Sequence, residues 1–397
     1  MRLVNTSEIA FTPGFSPMES RMQIEVNFET WKECFADLPD PRVEGRTLHR
    51  LSDILFLILC GVICGMDDEE AIEEWGEARL DWLRQFVSLE NGIPSHDTIG
   101  RVLAALNPVK FQACFTRWMA ALCPSLDGEI VAMDGKTARG SRDASGGLSA
   151  IHMVSAFVCR HGITLGQVKT DDKSNEITAL PELIDTLDLK GATVTVDALH
   201  CQKSTAQAIV DKGAEYVFGL KGNQGTLHAE VKALFDVTEW RHYRTFDDWG
   251  HATENAGHGR IEGRRCIALS CPDGAPFDGW PGMKSVVMVE SMRQTANQVA
   301  AETRYFVSSL PPDSKQLAQA IRSHWEIENR LHWCLDVTFG EDACRVRKDH
   351  APENLNIVRK IAMNLLRLSP VKKTLPKKRL RACLDPAYLA QVLGVAA

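Results

Sequence analysis

Apolar positions recur with a helical period from Phe28 to about Leu122, broken at Pro39-Asp40-Pro41 and at Asn91-Gly92-Ile93-Pro94. This predicts an all-helical N-terminal domain over 28–125. It follows a loose arm, residues 1–27, with no sustained periodicity and with Pro13, Gly14 and Pro17 in it. The apolar run Ile54 to Cys64 reads as a buried helix, too short to cross a bilayer. Past the second break, Ser95-His96-Asp97-Thr98 precedes Ile99, Val102, Leu103 and Leu106, the pattern of an N-capped amphipathic helix. A helix-turn-helix is one reading of that turn, and an ordinary bundle turn, favoured by the acidic surroundings, is the other.

From residue 129 the period shortens. Runs at 129–134, 151–158 and 163–169 predict three closely spaced strands. A helix opened by Ser174-Asn175-Glu176 then leads to the run Ala192 to Val196, and a helix from Ser204 to Lys212 leads to the run Glu215 to Leu220. A meander followed by strands alternating with helices predicts a mixed α/β sheet built from 126–236. Residues 237–310 are again β-like, with turns at Gly257, Gly259 and Gly263 and runs at 285–289 and 304–307, and read as a β-rich insertion. Helices over about 313–335 and 352–368 return the chain to the sheet domain, which thus spans 126–236 and 311–368. Residues 369–397 read as a basic C-terminal tail.

Composition changes this picture little. With 397 residues and 44% hydrophobic residues, the chain can build real cores. The 12 cysteines show neither Cys-x-x-Cys nor paired His/Cys ligand spacing, so buried reduced thiols are expected rather than zinc modules or disulfides. No apolar run reaches membrane-spanning length and no leader pattern opens the chain, which predicts a cytoplasmic protein without membrane contact. The formal net charge of -7 is unlike a nucleic-acid binder, but the charge is unevenly spread. Between Glu19 and Glu90, 17 acids stand against 7 Arg or Lys, whereas Arg367 to Arg381 holds seven basic residues and no acid. That stretch is either an interaction surface or a solubilising tail.

The chemistry lies in three carboxylates. Asp134 closes the run Glu129 to Met133, and Asp197 closes Ala192 to Val196. Acids at strand ends often cap turns, and Asp134-Gly135 is itself a turn dipeptide. Delivered to one spot, however, such carboxylates repel one another until divalent cations relieve them, and oxygen ligands suit two Mg2+ ions, with Mn2+ able to substitute. The two aspartates meet only if their strands are parallel neighbours. A helix through His324-Trp325-Glu326-Ile327-Glu328-Asn329 supplies the third acid. Glu326 has Arg322 and Arg330 four residues to either side, an ordinary ion-paired face. Glu328 shares its face with His324, Trp325, Leu331, His332 and Leu335, where an ionised carboxylate needs a cation or a hydrogen-bonding partner, so Glu328 is the candidate. Lys136, Arg139, Lys221, Asn223, Arg345 and Lys348 lie at strand ends or on the expected rim, where a phosphate backbone could be held.

The residues carrying this pattern also carry a resemblance. Met133-Asp134-Gly135-Lys136-Thr137, Lys173-Ser174-Asn175-Glu176-Ile177, Val194-Thr195-Val196-Asp197-Ala198, Cys201-Gln202, Lys221-Gly222-Asn223-Gln224 and His324 through Trp333 closely resemble the H-repeat-associated (Rhs-element-associated) transposases of bacterial insertion sequences, members of the DDE transposase superfamily. Phe339-Gly340-Glu341-Asp342 and Pro94-Ser95-His96-Asp97-Thr98 match as well, so the resemblance runs over about residues 30–390. It implies a ribonuclease-H-like fold with a β insertion before the last acid, and a catalytic, metal-binding triad of Asp134, Asp197 and Glu328. It further implies Mg2+-dependent cleavage and strand transfer on double-stranded DNA, at terminal inverted repeats and at a target, by a homodimer in a synaptic complex that associates with the nucleoid. Many superfamily members carry a Tyr, Arg, Glu, Lys quartet around the last acid, and here those positions are Ile321, His324, Glu328 and Leu335. Only the glutamate survives, leaving His324, Arg330 or His332 as substitutes for phosphate contact. Three alternatives stand beside this: a catalytically inactive DNA-binding relative, a metal-dependent nuclease without strand transfer, and a zinc hydrolase on His200, Cys201, His324 and His332. Either the N-terminal helices or the basic C-terminal stretch would read the element ends.

Overall fold

The structure is a computed structural model that describes residues 24–43, 45–143, 147, 149–170, 176–237, 250–257, 260–295 and 298–395. The arm up to residue 23, the expected helix opening at Ser174-Asn175 and the turn at Gly259 lie outside the described residues. The chain opens with helices α1 (Phe28–Phe35), α2 (Leu51–Cys64), α3 (Glu69–Ala78), α4 (Leu80–Leu83), α5 (His96–Ala105) and α6 (Pro108–Leu122). Side-chain caps start several of them. Asn27 accepts from the amide of Glu29, Asp68 from that of Ala71, and Asn107 from that of Lys110, each meeting an amide that has no partner within its helix. At α5, Ser95 occupies the cap position, yet its Oγ meets Thr98 Oγ1 at 3.2 Å instead of a backbone amide. Helix α2 is buried along nearly its whole length and stops at Gly65, whose φ of 100° is the left-handed conformation that glycine adopts freely. Among the described residues, no helix is long and apolar enough to cross a membrane.

The sheet begins with β1 (Ile130–Thr137), β2 (His152–Val158) and β3 (Ile163–Lys169), an antiparallel meander. Helix α7 (Glu176–Thr186), β4 (Thr193–Val196), α8 (Lys203–Asp211), β5 (Glu215–Leu220) and α9 (Gly225–Val237) follow. The crossovers lay β4 parallel to β1, with Ala132 opposite Thr195, and β5 parallel to β4. Strands β6 (Gly250–Gly257), β7 (Arg260–Ser270), β8 (Ser285–Thr295) and β9 (Val299–Ser308) form a second antiparallel run. This run, expected as an insertion between the sheet and the next helix, continues the sheet, because β9 pairs with β5. One nine-stranded mixed sheet results, in the order β3-β2-β1-β4-β5-β9-β8-β7-β6.

Helix α10 (Ser314–Ser323), capped by Asp313, packs Leu317, Ala320 and Ile321 onto Val217, Cys266, Ala268, Val287 and Val289 of the sheet. It runs on through α11 (Trp325–Ile327), a π-helical turn (Glu328–His332) and α12 (Trp333–Val337). Helix α13 (Ala351–Leu368) is the pillar between the N-terminal helices and the sheet. Its Asn354 Nδ2 donates to the carbonyls of Leu103 and Leu106 at 2.8 and 2.9 Å, and Asn364 Nδ2 to the carbonyl of Thr164 at 2.8 Å. Its fully buried Lys360 donates to Ser155 Oγ at 2.8 Å and to Gln167 Oε1, and burial pushes that ammonium down to about 7.

Two expectations change at the chain ends. Residues 24–27 are not loose: Ile24 and Val26 pack against the core and Asn27 caps α1. Residues 369–397 are not a basic tail either, because α14 (Leu375–Leu384) and α15 (Pro386–Leu393) bury Ala382, Tyr388, Leu389 and Val392 in the main core. Three of the stretch's basic residues are consumed inside. Arg367 donates to the Gly162 carbonyl, Lys378 Nζ donates to the carbonyls of Leu366 and Ser369, and Arg379 bonds the carbonyls of Thr338 and Val62 and reaches Asp67 at 2.7 Å. Arg379→Ala should therefore destabilise the fold by about 3–5 kcal/mol, since it strands Asp67 and two carbonyls without their donor; the midpoint of denaturant unfolding measures it, and a change under about 1 kcal/mol would refute the bridging role. All 12 cysteines are free, nine of them buried, as the spacing rules predict.

Candidate functional site

Parallel pairing decides the geometry. Asp134 lies two residues beyond Ala132, and Asp197 two residues beyond its partner Thr195, so the two acids stand level just past the β1–β4 pairing, Asp134 inside β1 opposite Ser155, where a turn was expected, and Asp197 directly after β4. The helix through the π turn crosses this end and brings Glu328 to the same place. All three line one pocket of about 390 Å3, together with Thr195, Lys221, His324 and Trp325. The far wall is Glu302 to Phe306 of β9 with His228 of α9. No pattern in the sequence marks that wall, because only the pairing of β9 with β5 carries it there.

The acids are not equivalent. The Asp134 carboxyl is 18% exposed and its pKa is pushed up to about 8, first by burial and then by the charges of Glu328 and Asp197. Glu328 is the opposite case. It is 49% exposed rather than sunk in the apolar strip its spacing suggests, and the His332 imidazole beside it holds its carboxyl below the usual range. Asp197 is exposed and turns Oδ1 toward the amides of Leu199 and His200, at 3.1 and 3.4 Å, capping the short helical turn Ala198–His200. One ligand atom each from Asp134, Glu328 and His332 lie within 4.8 Å of one another. A buried carboxyl that cannot ionise cheaply among two others, in a nest of oxygen donors, is a set that fits a divalent cation.

The other expected residues divide. Lys221 is exposed and lines the pocket. His324 lines it too, with Nδ1 3.0 Å from Thr195 Oγ1, and burial holds its imidazole below the usual range. Lys136, expected at the rim, is instead 11% exposed and held at 2.7 Å by both Asp336 and Glu341, so its charge is already matched inside. Arg330 turns away from the pocket: its Nη1 donates to the Cys159 carbonyl at 2.6 Å and pairs with Glu326 at 3.3 Å. His332, suggested for phosphate contact, is 5% exposed and faces the acids. Asn223 gives its Nδ2 to the Ala198 carbonyl at 2.6 Å, which ties the turn after β5 to the turn after Asp197. Arg139, Arg345 and Lys348 are exposed on two loops locked together where Arg347 Nε donates to the Gly140 carbonyl at 3.0 Å. His200 and His324, two of the four residues of the zinc alternative, have different partners: His200 faces Glu176, and His324 faces Thr195.

On the other face of β1, Thr137 Oγ1 meets His152 Nδ1 at 2.8 Å, His152 Nε2 meets Glu176 at 2.6 Å, and buried His200 lies 3.4 Å from the same carboxylate. Hydrogen bonds to both imidazoles pull the Glu176 carboxyl down to about 2. This brace leaves no room beside Asp134, because a Cβ on Gly135 would run into His152 Nε2 and the Glu176 carboxylate. Gly135→Ala should thus destabilise the protein by about 1–3 kcal/mol; an unchanged thermal midpoint would show that the brace gives way freely.

Comparison with known proteins gives the family. The family described as "Transposase DDE domain" matches residues 125–365, and its associated N-terminal family matches residues 32–119. The chain therefore belongs to the DDE-domain transposases. Within them its relatives are the H-repeat-associated transposases. The protein YhhI of Escherichia coli strain K12, named as one of these, is 42% identical over 370 residues, covering 91% of this chain and 97% of its own. YncI of Escherichia coli O157:H7, also named as a transposase, is 44% identical over 363 residues, covering 90% of this chain and 92% of its own. Among solved structures, the piggyBac transposase synaptic complex with hairpin DNA aligns at a TM-score of 0.43 with 9% identity, over 93% of this chain and 77% of that one.

Proposed function

We propose that this transposase cuts and joins double-stranded DNA at the ends of an insertion sequence, with Asp134, Asp197 and Glu328 as its catalytic, cation-holding residues. One observation supports this above all: β1 and β4 pair in parallel, which sets the two aspartates level beneath Glu328 in a single pocket. We also read β3-β2-β1-β4-β5, with one acid on β1 and one directly after β4, as a ribonuclease-H-like core.

The three carboxylates would hold Mg2+, or Mn2+ in its place. The bound ions would supply Lewis acidity at the attacking and leaving oxygens of a phosphodiester. The chain does the rest. Asp134, whose carboxyl burial holds well above its usual range, would be a ligand that ionises most readily beside positive charge. Asp197 is oriented by the two amides it caps, and the Thr195–His324 contact ties β4 to the helix above it. Lys221 offers a charge at the rim for a backbone phosphate, and Arg139, Arg345 and Lys348 extend that footing without reading sequence. Two protomers, one on each element end, are the expected working unit.

Incubation of the purified protein with Mg2+ and labelled duplexes from the flanks of its own gene tests the reading. Nicks at the 3′ ends and strand-joining products in a target plasmid are expected. Duplexes left intact with both Mg2+ and Mn2+ would overturn it, and nicking without joining would reduce the protein to a nuclease.

A further inference from the structure

The helix above the pocket departs from α geometry at one place, the π turn from Glu328 to His332. Such turns are rare and are retained mostly at functional sites, where they place side chains that the α pitch would rotate away. Here the turn sets two polar side chains toward Asp134. His332 Nδ1 lies 3.3 Å from Glu328 Oε2 and 3.7 Å from Asp134 Oδ2. The ring is 5% exposed, its Nε2 is buried without a hydrogen-bond partner among the described residues, and Nδ1 is the nitrogen aimed at the carboxylates. A buried imidazole turned on two acids has two uses: it carries a proton as their counter-ion, or it offers a lone pair to a cation that they share.

Spacing favours the second. One ligand atom from each of the three side chains falls within 4.8 Å of the others, so a single ion between them touches all three with sub-ångström adjustments. Lys136, two residues after Asp134, is held by Asp336 and Glu341 and supplies no charge to this point.

We propose that His332 is a nitrogen ligand to a divalent cation shared with Asp134 and Glu328, which makes this an oxygen-and-nitrogen site. The inference rests on the reading that the pocket holds divalent cations. Its consequence is ion choice. Mg2+ accepts imidazole reluctantly, whereas Mn2+ and later first-row ions take mixed oxygen and nitrogen sets, so Mn2+ binds here with a clear advantage over Mg2+.

Pulsed electron-spin-echo spectroscopy of the full-length protein loaded with Mn2+ alone reads the ligand directly, because a coordinated imidazole imprints 14N modulation on the manganese signal. Wild type and His324→Gln are expected to show that modulation, and His332→Gln to lose it while binding Mn2+ about tenfold more weakly. Growth of His324→Gln on 15N-histidine should replace the 14N pattern, which ties the modulation to a histidine other than His324 even if His332→Gln fails to fold. Mn2+ bound with no nitrogen modulation would overturn the role of His332 and leave the carboxylate reading standing. Modulation that survives in His332→Gln would also overturn it, and failure of the wild type to bind Mn2+ at all would sink both.

Discussion

Glu328→Gln should lower Mg2+-dependent cleavage of element-end DNA by about 10²–10³-fold or more, the scale seen when a preorganised charge is removed from a reacting centre. Glu326→Gln, two residues away, should stay within about fivefold of wild type. The two glutamates are close in sequence and alike in exposure, at 49% and 43%. What separates them is direction. Glu328 lines the pocket with Asp134 and Asp197, whereas Glu326 pairs at 3.3 Å with Arg330, an exposed contact of about 0–1 kcal/mol that touches no reacting group. Asp134→Asn and Asp197→Asn should fail as Glu328→Gln does. Single-turnover cleavage at matched DNA occupancy is the measurement, and a Glu328→Gln protein that cuts like wild type would remove that residue from the chemistry.

Stability without divalent ions should respond to Asp134 in a way that depends on pH. Its folded pKa is raised from 3.8 to about 8, chiefly by burial and then by Glu328 and Asp197. The folded protein therefore keeps a proton that the unfolded chain has already lost, and the stability held below about pH 4 drains away as pH rises toward and through 8. Asparagine carries no such liability. In chelator, Asp134→Asn should melt at least about 2 °C above wild type at pH 8.5, and the gap should close by pH 4. The sign reverses when millimolar Mn2+ is added, because wild type then gains the free energy of ion binding and the variant does not. Melting curves for the two proteins in chelator across pH 4–9 should separate as pH rises, and curves that stay together throughout would make Asp134 an ordinary surface acid.

Much of the architecture is legible in the sequence, for local reasons. The runs leading to Asp134 and Asp197 became β1 and β4 because short β-branched stretches have few other stable states, although β1 continues through Asp134 to Thr137, where a turn was expected. Glu326 and Arg330 paired four residues apart, as helical spacing requires. Local pattern had less to say where a residue's partner is distant. Lys136 looked like a rim cation and lies among Asp336, Glu341 and Asp342, about 200 positions away. The basic stretch at the C-terminus looked solvated, yet Arg379 is swallowed between α2 and the segment after α12.

Alone, the sequence determined most of the strands and helices between 28 and 368, the acids that stand among them, and the family that the motifs resemble, since each is written in periods of a few residues. Tertiary structure alone decided that β1 and β4 are neighbours, that β9 extends the sheet and walls the pocket, and that a π turn swings His332 onto the carboxylates. The physical reason is range. Backbone preference and side-chain spacing act within a turn or two of chain, whereas the pairing of strands and the ionisation of Asp134 depend on charges and hydrogen bonds that meet only after the chain has closed on itself.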